Sequence, residues 1–235
     1  MKLKIEPVIF ENYPEVLLAV IVLHNVNNEG SDDEITQKLR SAEESAIERI
    51  GTTPTSEHPH IAPWREAYRK FGAKPSKYPS SIENLIKRVS SGEKIRHVNK
   101  LVDLYNIISL RHFVPVGGED IASLNGDVLL TLATENEIPV KLLGEKDERP
   151  PYTDEVIYKD NDGTLCRRWN WKEAERTKLT EETKNAFIVM EGLPPVGKAE
   201  LEAATEEFKE LAMKFCGGTI TTHILGINNP EVELE

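Results

Sequence analysis

The chain has 235 residues, of which 39% are hydrophobic and 29% charged, as in an ordinary globular protein long enough to bury a full core. No apolar run approaches the roughly 18 residues of a membrane-spanning helix. The N-terminus lacks the apolar centre of a signal peptide, so we expect a cytoplasmic protein. Two cysteines are too few for a disulfide framework or a cysteine-rich zinc site.

The net charge of −11 argues against nucleic acid as a partner, but the charge is unevenly distributed. Between His58 and His112 there are eleven Lys or Arg residues against four Asp or Glu residues. This window therefore carries +7 and leaves −18 for the rest of the chain. The window either faces a polyanion or forms a basic helical face that pairs with the acidic flanks.

The first half of the chain shows two strand patterns followed by four helix patterns. Lys2–Phe10 and Val16–Val26 are predicted to be strands, because they are rich in alternating or continuous apolar residues. The sequence from Ser31 to Glu34 fits a capping box and predicts a helix that ends at Gly51. Helical spacing of apolar residues predicts three further helices, over 62–72, 80–92 and 98–112.

After Pro115, where Gly117-Gly118 is expected to break the helix, short strand patterns dominate. An amphipathic helix is predicted over 197–215, with Gly217-Gly218 as its end. The helices and strands show no regular βαβ alternation, which favours an α+β fold with a mixed, mainly antiparallel sheet and packed helices. Without an internal repeat or long linker, residues 1–235 are predicted to form a single domain. The predicted strands are 127–134, 140–143, 155–159, 164–169, 186–191 and 219–225, and 228–235 is an acidic tail.

The helix over 98–112 has an unusual second face. Asn99, Asp103 and Asn106 recur at steps of four and three, so they share one side of the helix. Asn and Asp are poor helix formers, and each costs about a few tenths of a kcal/mol there. Either hydrogen bonds to neighbouring loops offset this cost, or the three side chains form the floor of a polar pocket.

The six residues that end at Trp171, Cys-Arg-Arg-Trp-Asn-Trp, are the second unusual stretch. As a strand, they would place Arg167, Trp169 and Trp171 on one face and Arg168 and Asn170 on the other. Planar Arg and Trp side chains suit recognition of carboxylates, phosphates or bases. The alternative is an aromatic corner of the core, in which the arginines satisfy acidic neighbours.

Other patterns for catalysis or metal binding are weak. His58 and His60 lie two residues apart in a loop and have no evident third ligand. The two Gly-Gly pairs lack the spacing of dinucleotide or phosphate loops, and no serine lies in a Gly-x-Ser-x-Gly elbow. Cys166 is either a nucleophile activated by its neighbours or a packed thiol.

The two unusual stretches resemble the B3/B4 domain of the phenylalanyl-tRNA synthetase beta subunit. In that domain an Asn-x-x-Val-Asp-x-x-Asn helix, here Asn99 to Asn106, is followed by a Pro and an Asp, here Pro115 and the pair Glu119-Asp120. Free-standing members of the family also resemble this chain at Trp64–Tyr68 with Phe71-Gly72, and at 166–171 with 175–177. The resemblance covers 62–190 well and 1–60 only loosely, and 197–235 adds a C-terminal helix and strand.

The resemblance implies an α+β domain that binds tRNA or an aminoacyl ester. In the synthetase this domain hydrolyses tRNA wrongly charged with tyrosine, without a metal or a protein nucleophile, so no cofactor is expected. A free-standing copy is expected to deacylate mischarged tRNA in trans, because 235 residues are too few for aminoacylation and no ATP-site motif is present. The alternatives are a non-catalytic module that binds tRNA or an amino-acid ligand, and a purely structural domain.

Under this resemblance the polar residues acquire roles toward the acceptor end of the tRNA. Asp103 is suited to hold an α-ammonium group, and His112 to orient water, since histidine titrates near neutral pH. No glutamate aligns with a catalytic carboxylate of the family. The interpretation requires the three polar helix residues and Arg167 to line one open pocket. The other predicted binding residues are amides for carbonyl and hydroxyl groups, arginines for phosphates or ribose, and the adjacent tryptophans: Asn99, Asn106, Asn170, Arg111, Arg167, Arg168, Trp169 and Trp171.

Overall fold

The structure is a computed structural model that describes residues 1–30 and 32–235. Helices and mainly antiparallel strands are mixed along the chain, which confirms the α+β prediction. The helices are α1 (Pro7–Asn12), α2 (Asp33–Ile50), α3 (Ala62–Lys70), α4 (Ser81–Ser90), α5 (Lys100–His112) and α6 (Lys198–Phe215). The strands are β1 (Lys2–Ile5), β2 (Leu17–His24), β3 (Val116–Asp120), β4 (Val128–Leu132), β5 (Val140–Lys141), β6 (Glu148–Arg149), β7 (Val156–Asp160), β8 (Gly163–Arg167), β9 (Lys172–Glu173), β10 (Ala186–Gly192), β11 (Thr219–Leu225) and β12 (Glu231–Glu233).

Two sheets organise the fold. The first has the order β11-β2-β10-β3 and is antiparallel throughout. The second has the order β12-β1-β4-β7-β8-β9, in which only β1 and β4 run parallel. Strands β3 and β9 each end their sheet, and the Gly118 N–H on β3 donates a hydrogen bond of 3.3 Å to Glu173 Oε1 on β9. The two sheets therefore meet at one pair of edges.

Strand β2 lies in the centre of the core, and both of its faces are covered. Ala19, Ile21 and Leu23 pack in a cluster with α2, α4, α5 and α6, whereas Leu18 and Val20 pack in the cluster that the two sheets share. A strand that is buried on both faces reads as a continuous apolar run, which is why this one was the clearest in the sequence. The layers are thus helices, the four-stranded sheet and the six-stranded sheet.

The ends of the chain differ from the sequence-based expectation. The first strand stops at Ile5, and α1 follows because Pro7 has a fixed φ and no N–H, which suits the start of a helix. The predicted tail 228–235 instead contains β12, which pairs with β1. None of the helices in 1–30 and 32–235 is both long and apolar enough to cross a membrane.

The ends of α2 and the start of α4 lie close to the predicted positions. The cap at Ser31 falls outside the described residues, and the Asp32 side chain accepts hydrogen bonds from the Glu34 and Ile35 N–H groups. The helix ends at Gly51 as predicted. At the start of α4 the Ser80 side chain accepts a hydrogen bond from the Glu83 N–H.

Strand β3 was not predicted, because its two glycines suggested a break. Neither glycine has a positive φ, and what they provide is space. A Cβ on Gly118 would lie 2.3 Å from Ile188 Cδ1 and 3.0 Å from the Phe187 carbonyl oxygen. A Cβ on Gly117 would meet only the Glu173 carboxylate, at 2.8 Å.

We expect Gly118→Ala to lower the free energy of unfolding by about 1–3 kcal/mol, because the added methyl group overpacks a sheet contact that includes backbone. Gly117→Ala is the matched control and should cost less than about 1 kcal/mol, since it displaces only the end of a movable side chain. Urea denaturation of both variants measures the difference, and equal losses would contradict this account of β3.

Candidate functional site

A cavity of about 340 Å³ opens where the edge strands β3 and β9 meet beside α4 and α5. This volume falls in the range of about 300–1,000 Å³ that is usual for sites of small ligands. Its walls are largely apolar and aromatic, and include Leu85, Tyr105, Val116, Leu143, Phe187 and Trp171.

Strands β3 and β10 supply one wall of this cavity. Gly117 pairs with Val189 and Glu119 with Phe187, so these four residues lie on the same side of the sheet, and all four line the cavity. Glu191, two residues beyond Val189, lines it as well. Two carboxylates thus project from a sheet surface that is otherwise apolar, and both residues are buried.

Glu173 reaches the cavity from the opposite sheet. Its Oε1 accepts the hydrogen bond from the Gly118 N–H at 3.3 Å. Its carboxylate occupies the space that a side chain at position 117 would fill. The absence of a side chain at Gly117 therefore allows the third carboxylate to lie against β3.

The cavity changes the acidity of all three carboxyl groups. Burial raises the pKa of Glu173 to about 7, and burial also raises the pKa of Glu191 to about 7. The pKa of Glu119 lies well above its ordinary value because of burial and the neighbouring Glu173 carboxylate. Strongly shifted pKa values concentrate at functional sites.

Glu191 is held in a buried network of hydrogen bonds. It accepts from the Tyr158 hydroxyl and from Asn170 Nδ2. Asn170 Oδ1 in turn accepts from the Tyr68 hydroxyl at 2.7 Å. This network fixes one wall, and it leaves Glu173 and Glu119 as the less engaged carboxylates.

The second unusual sequence stretch is a turn rather than a strand, so the predicted alternation of its side chains was wrong. Strand β8 ends at Arg167, and Arg168 and Trp169 have positive φ values of 49° and 66°. The left-handed backbone reverses the chain, so that Trp169, Asn170 and Trp171 all reach the cavity. Two successive left-handed residues without glycine gave no periodic signal in the sequence.

The predicted site residues separate into two groups. Of the four residues expected to share one pocket, Asn106 alone lines the cavity. Its side-chain amide makes no hydrogen bond to any other described residue. The predicted residues that line the cavity are Asn106, Trp169, Asn170 and Trp171, and those that do not are Asn99, Asp103, Arg111, His112, Arg167 and Arg168.

Asn99 and Asp103 make the structural bonds of a helix start. The Asn99 side chain accepts from the Val102 N–H at 3.0 Å and donates to the Leu179 carbonyl at 3.0 Å. Asp103 accepts from the Val98 N–H at 3.1 Å and pairs with His97. The helix face thus combines the two alternatives: Asn99 and Asp103 make structural hydrogen bonds, whereas Asn106 faces the cavity.

Most of the predicted arginines are engaged elsewhere. Arg167 donates through Nε and Nη2 to Glu155, at 2.9 and 2.7 Å, inside the core. Arg111 and His112 both pair with Glu207 on α6. The hydrogen bond from His112, with help from Arg111, lowers the pKa of Glu207 to about 2.

Arg168 is also buried and pairs with Glu155, at 3.8 Å, but it lies beside the cavity. Its guanidinium carbon is 3.8 Å from the Tyr78 ring centroid, 4.6 Å from that of Trp171 and 5.6 Å from that of Tyr152. Trp171 lines the cavity, and Tyr152 is 69% exposed. This stacked cluster links the cavity to the surface.

Cys166 lines the cavity but is not set up as a nucleophile. Burial raises the pKa of its thiol well above the ordinary value, so the reactive thiolate is suppressed. In the described parts of the chain, no group of three or more His, Cys, Asp or Glu side chains is arranged to hold a metal ion.

The three cavity glutamates were missed by sequence reasoning. Glu119 lies in the matched motif but was given no role there, Glu173 follows no motif, and the two approach each other only when two edge strands meet. Glu191 carried a weak signal, since it stands in the otherwise apolar strand 186–191.

We expect Asn99→Ala and Asn106→Ala to have opposite profiles. Asn99→Ala removes a helix cap and leaves buried groups unpaired, which should lower the free energy of unfolding by about 1–3 kcal/mol. Asn106→Ala removes no hydrogen bond between residues that the structure describes and should change stability by less than about 1 kcal/mol. Denaturant unfolding of both variants tests this, and a large loss for Asn106→Ala would assign it a structural role.

The raised pKa of Glu191 has a consequence for stability against pH. The folded protein holds this proton more tightly than the unfolded chain, so stability is greatest below about pH 4.5 for this group and falls as pH rises to about 7. A pKa change of this size corresponds to a contribution on the order of 3 kcal/mol.

Glu191→Gln should flatten the pH dependence of unfolding between pH 4.5 and about 7. Glu202→Gln on the exposed side of α6 is the control and should keep the wild-type slope. A wild-type slope in Glu191→Gln would show that this carboxyl is not perturbed.

Two comparisons with known proteins found similarity to this chain. The family model described as the B3/4 domain matches residues 63–217, more than half of the chain. Among solved structures, the chain is similar to an N-terminal fragment of the phenylalanyl-tRNA synthetase beta-subunit from Pyrococcus horikoshii, with 14% identity and a TM-score of 0.47. That alignment covers 93% of this chain and 49% of the other, so this chain spans about half the length of the fragment. No curated protein matches. The extent of the family match shows that the chain belongs to the B3/4 domain family.

Proposed function

We propose that this protein hydrolyses the ester bond of mischarged aminoacyl-tRNA in trans. The observation that carries the proposal is the Glu173 carboxylate, which faces a largely apolar cavity and has a pKa raised to about 7 by burial. Membership of the B3/4 family and the resemblance of the sequence motifs to the synthetase domain support this substrate class. The site itself gives the chemistry.

Glu173 is placed to act as a general base. A base whose pKa lies near the working pH transfers protons most effectively. Its carboxylate takes a proton from a water molecule while the water oxygen attacks the ester carbonyl carbon. The bond between that carbon and the ribose oxygen then breaks, and the proton passes to the ribose oxygen. The products are the free amino acid and uncharged tRNA.

The tetrahedral intermediate of this reaction needs a donor for its oxyanion. Asn106 is available for this role, because its amide faces the cavity and has no bond to another described residue. Attack by water, rather than by the protein, agrees with the suppressed thiolate of Cys166. The proposal gives the water-orienting role to Glu173 and not to His112, which pairs with Glu207.

The cluster around Arg168 suits the end of an RNA chain. Aromatic rings stack on nucleobases, and arginine stacks on rings or binds phosphate. Nearby, Lys74 and Lys77 are exposed, and neither forms an ion pair with any other described residue. In contrast, Arg65 and Lys87 of the basic window both pair with Glu83. Two lysines outside ion pairs with described residues favour a small contact with the acceptor end.

The test is deacylation of a panel of mischarged tRNAs by the wild type and by Glu173→Gln, followed as loss of the labelled aminoacyl group. We expect hydrolysis of at least one member, with a rate that rises with pH around a midpoint of about 7. Glu173→Gln should lower kcat by about 100-fold or more while KM changes little. Glu202→Gln should behave like the wild type.

Two results would contradict the proposal in different ways. If no member is hydrolysed although charged tRNA still binds, the protein is a non-catalytic binding module. If Glu173→Gln keeps the wild-type rate, the esterase activity stands and Glu173 is not its base.

A further inference from the structure

We infer that the cavity recognises the free α-ammonium group of its ligand through Glu119, so that ligands with a blocked or missing amine are excluded. The inference rests on the proposed function in taking the ligand to be an aminoacyl ester. The recognised group itself is argued from the residues that line the cavity.

Glu119 is a buried carboxylate that lacks a partner. It is 5% exposed and lines the cavity, and its Oε2 has no hydrogen-bond partner among the described residues. The Thr177 hydroxyl lies near enough to lower the pKa of Glu119, but without hydrogen-bond geometry, since Thr177 Oγ1 also lacks a partner. A buried carboxylate oxygen without a donor is costly, so a ligand that supplies a donor here gains affinity.

The charges around Glu119 favour a cationic donor. Glu173 and Glu191 line the same cavity, so an anionic ligand group would be repelled. The two lining cations do not neutralise them, because Lys172 pairs with Glu145 and Arg88 pairs with Glu93. A primary ammonium supplies three N–H donors and one positive charge.

A metal ion is a weaker fit to this position. Cations bound by proteins need several ligating oxygen atoms. The described residues contain no group of three or more acidic, His or Cys side chains arranged for this purpose. Two carboxylates beside the Tyr105 phenol suit an organic amine better.

The position of the ammonium also agrees with the proposed reaction. In an aminoacyl ester the carbonyl carbon is bonded to the carbon that carries the amine. Anchoring the amine at Glu119 therefore brings the carbonyl to the adjacent Glu173. The apolar surface of Phe187 and Val189 then receives the amino-acid side chain.

Binding of an ammonium should release protons. Burial and the Glu173 carboxylate raise the pKa of Glu119, and a cation bound beside it favours the ionised form and lowers this pKa again. The ionisable groups that influence Glu119 or are influenced by it come from several elements: Glu173 on β9, Tyr105 on α5, Cys166 on β8, Asp160 on β7 and Arg176 after β9.

The probes are L-amino acid amides of Tyr, Phe, Leu, Met and Ser, each compared with its N-acetyl counterpart by calorimetry at about pH 6.5, where an α-amino group is charged. We expect at least one amide to bind, and its N-acetyl form to bind at least tenfold more weakly. Glu119→Gln should weaken binding of the amide at least tenfold and leave the N-acetyl form unaffected. Two buffers of different ionisation enthalpy should reveal proton release in the wild type and less in Glu119→Gln.

Glu202→Gln is again the matched control and should bind the amide like the wild type. Glu119→Gln keeps the shape of the side chain and removes a buried ionisable group, so its unfolding curve at pH 8 should show a folded protein. The inference is overturned if no amide binds at millimolar concentration, if amide and N-acetyl amide bind equally, or if Glu119→Gln binds like the wild type.

Deacylation separates this inference from the proposed function. Equal hydrolysis of free and N-acetylated aminoacyl-tRNA would contradict the ammonium site but support the esterase activity. Selective binding of amides without any deacylation would contradict the esterase activity and support the ammonium site. The cavity would then be an amine-recognising binding site.

Discussion

The arrangement of this site depends on burying three carboxylates in one cavity without a paired cation. Elsewhere the fold neutralises its buried acids: Glu155 pairs with Arg167, and Glu83 with Arg65. Among the described residues, no salt bridge reaches Glu119, Glu173 or Glu191. Their pKa values are instead raised, because burial separates these carboxyl groups from water and from counter-ions and so disfavours the ionised form.

The meeting of two sheet edges makes this burial possible. An edge strand presents unpaired N–H groups, and here one of them, from Gly118, is taken by Glu173 of the other sheet. Because Gly117 has no side chain, the carboxylate lies directly against the strand. The same contact thus joins the sheets and positions the proposed base, so the fold and the site share one element.

Local patterns in the sequence predicted most of the fold and only part of the site. Apolar spacing and caps located β2 and the helices α2 to α6, since these depend on residues close in sequence. The helix face was also found, but spacing did not show that Asn99 caps the helix while Asn106 faces the cavity. The glutamates come from strands that are distant in the chain, and no periodicity shows which edges will meet. The turn at Arg168 was missed because its left-handed backbone contains no glycine.

The placement of the arginines explains why the acidity of the cavity persists. A guanidinium that entered the cavity would favour the ionised carboxylates and lower their pKa values, as Arg111 and His112 do for Glu207. Glu155 holds Arg167 in the core, and the rings of Tyr78 and Trp171 hold Arg168 at the mouth. The arginines that the sequence suggested as substrate ligands are therefore held outside the cavity, where they do not lower the pKa values of its carboxyl groups. Because no guanidinium enters the cavity, the pKa of Glu173 stays near neutral pH, and the charge of an ionised Glu119 is left to be matched by a ligand.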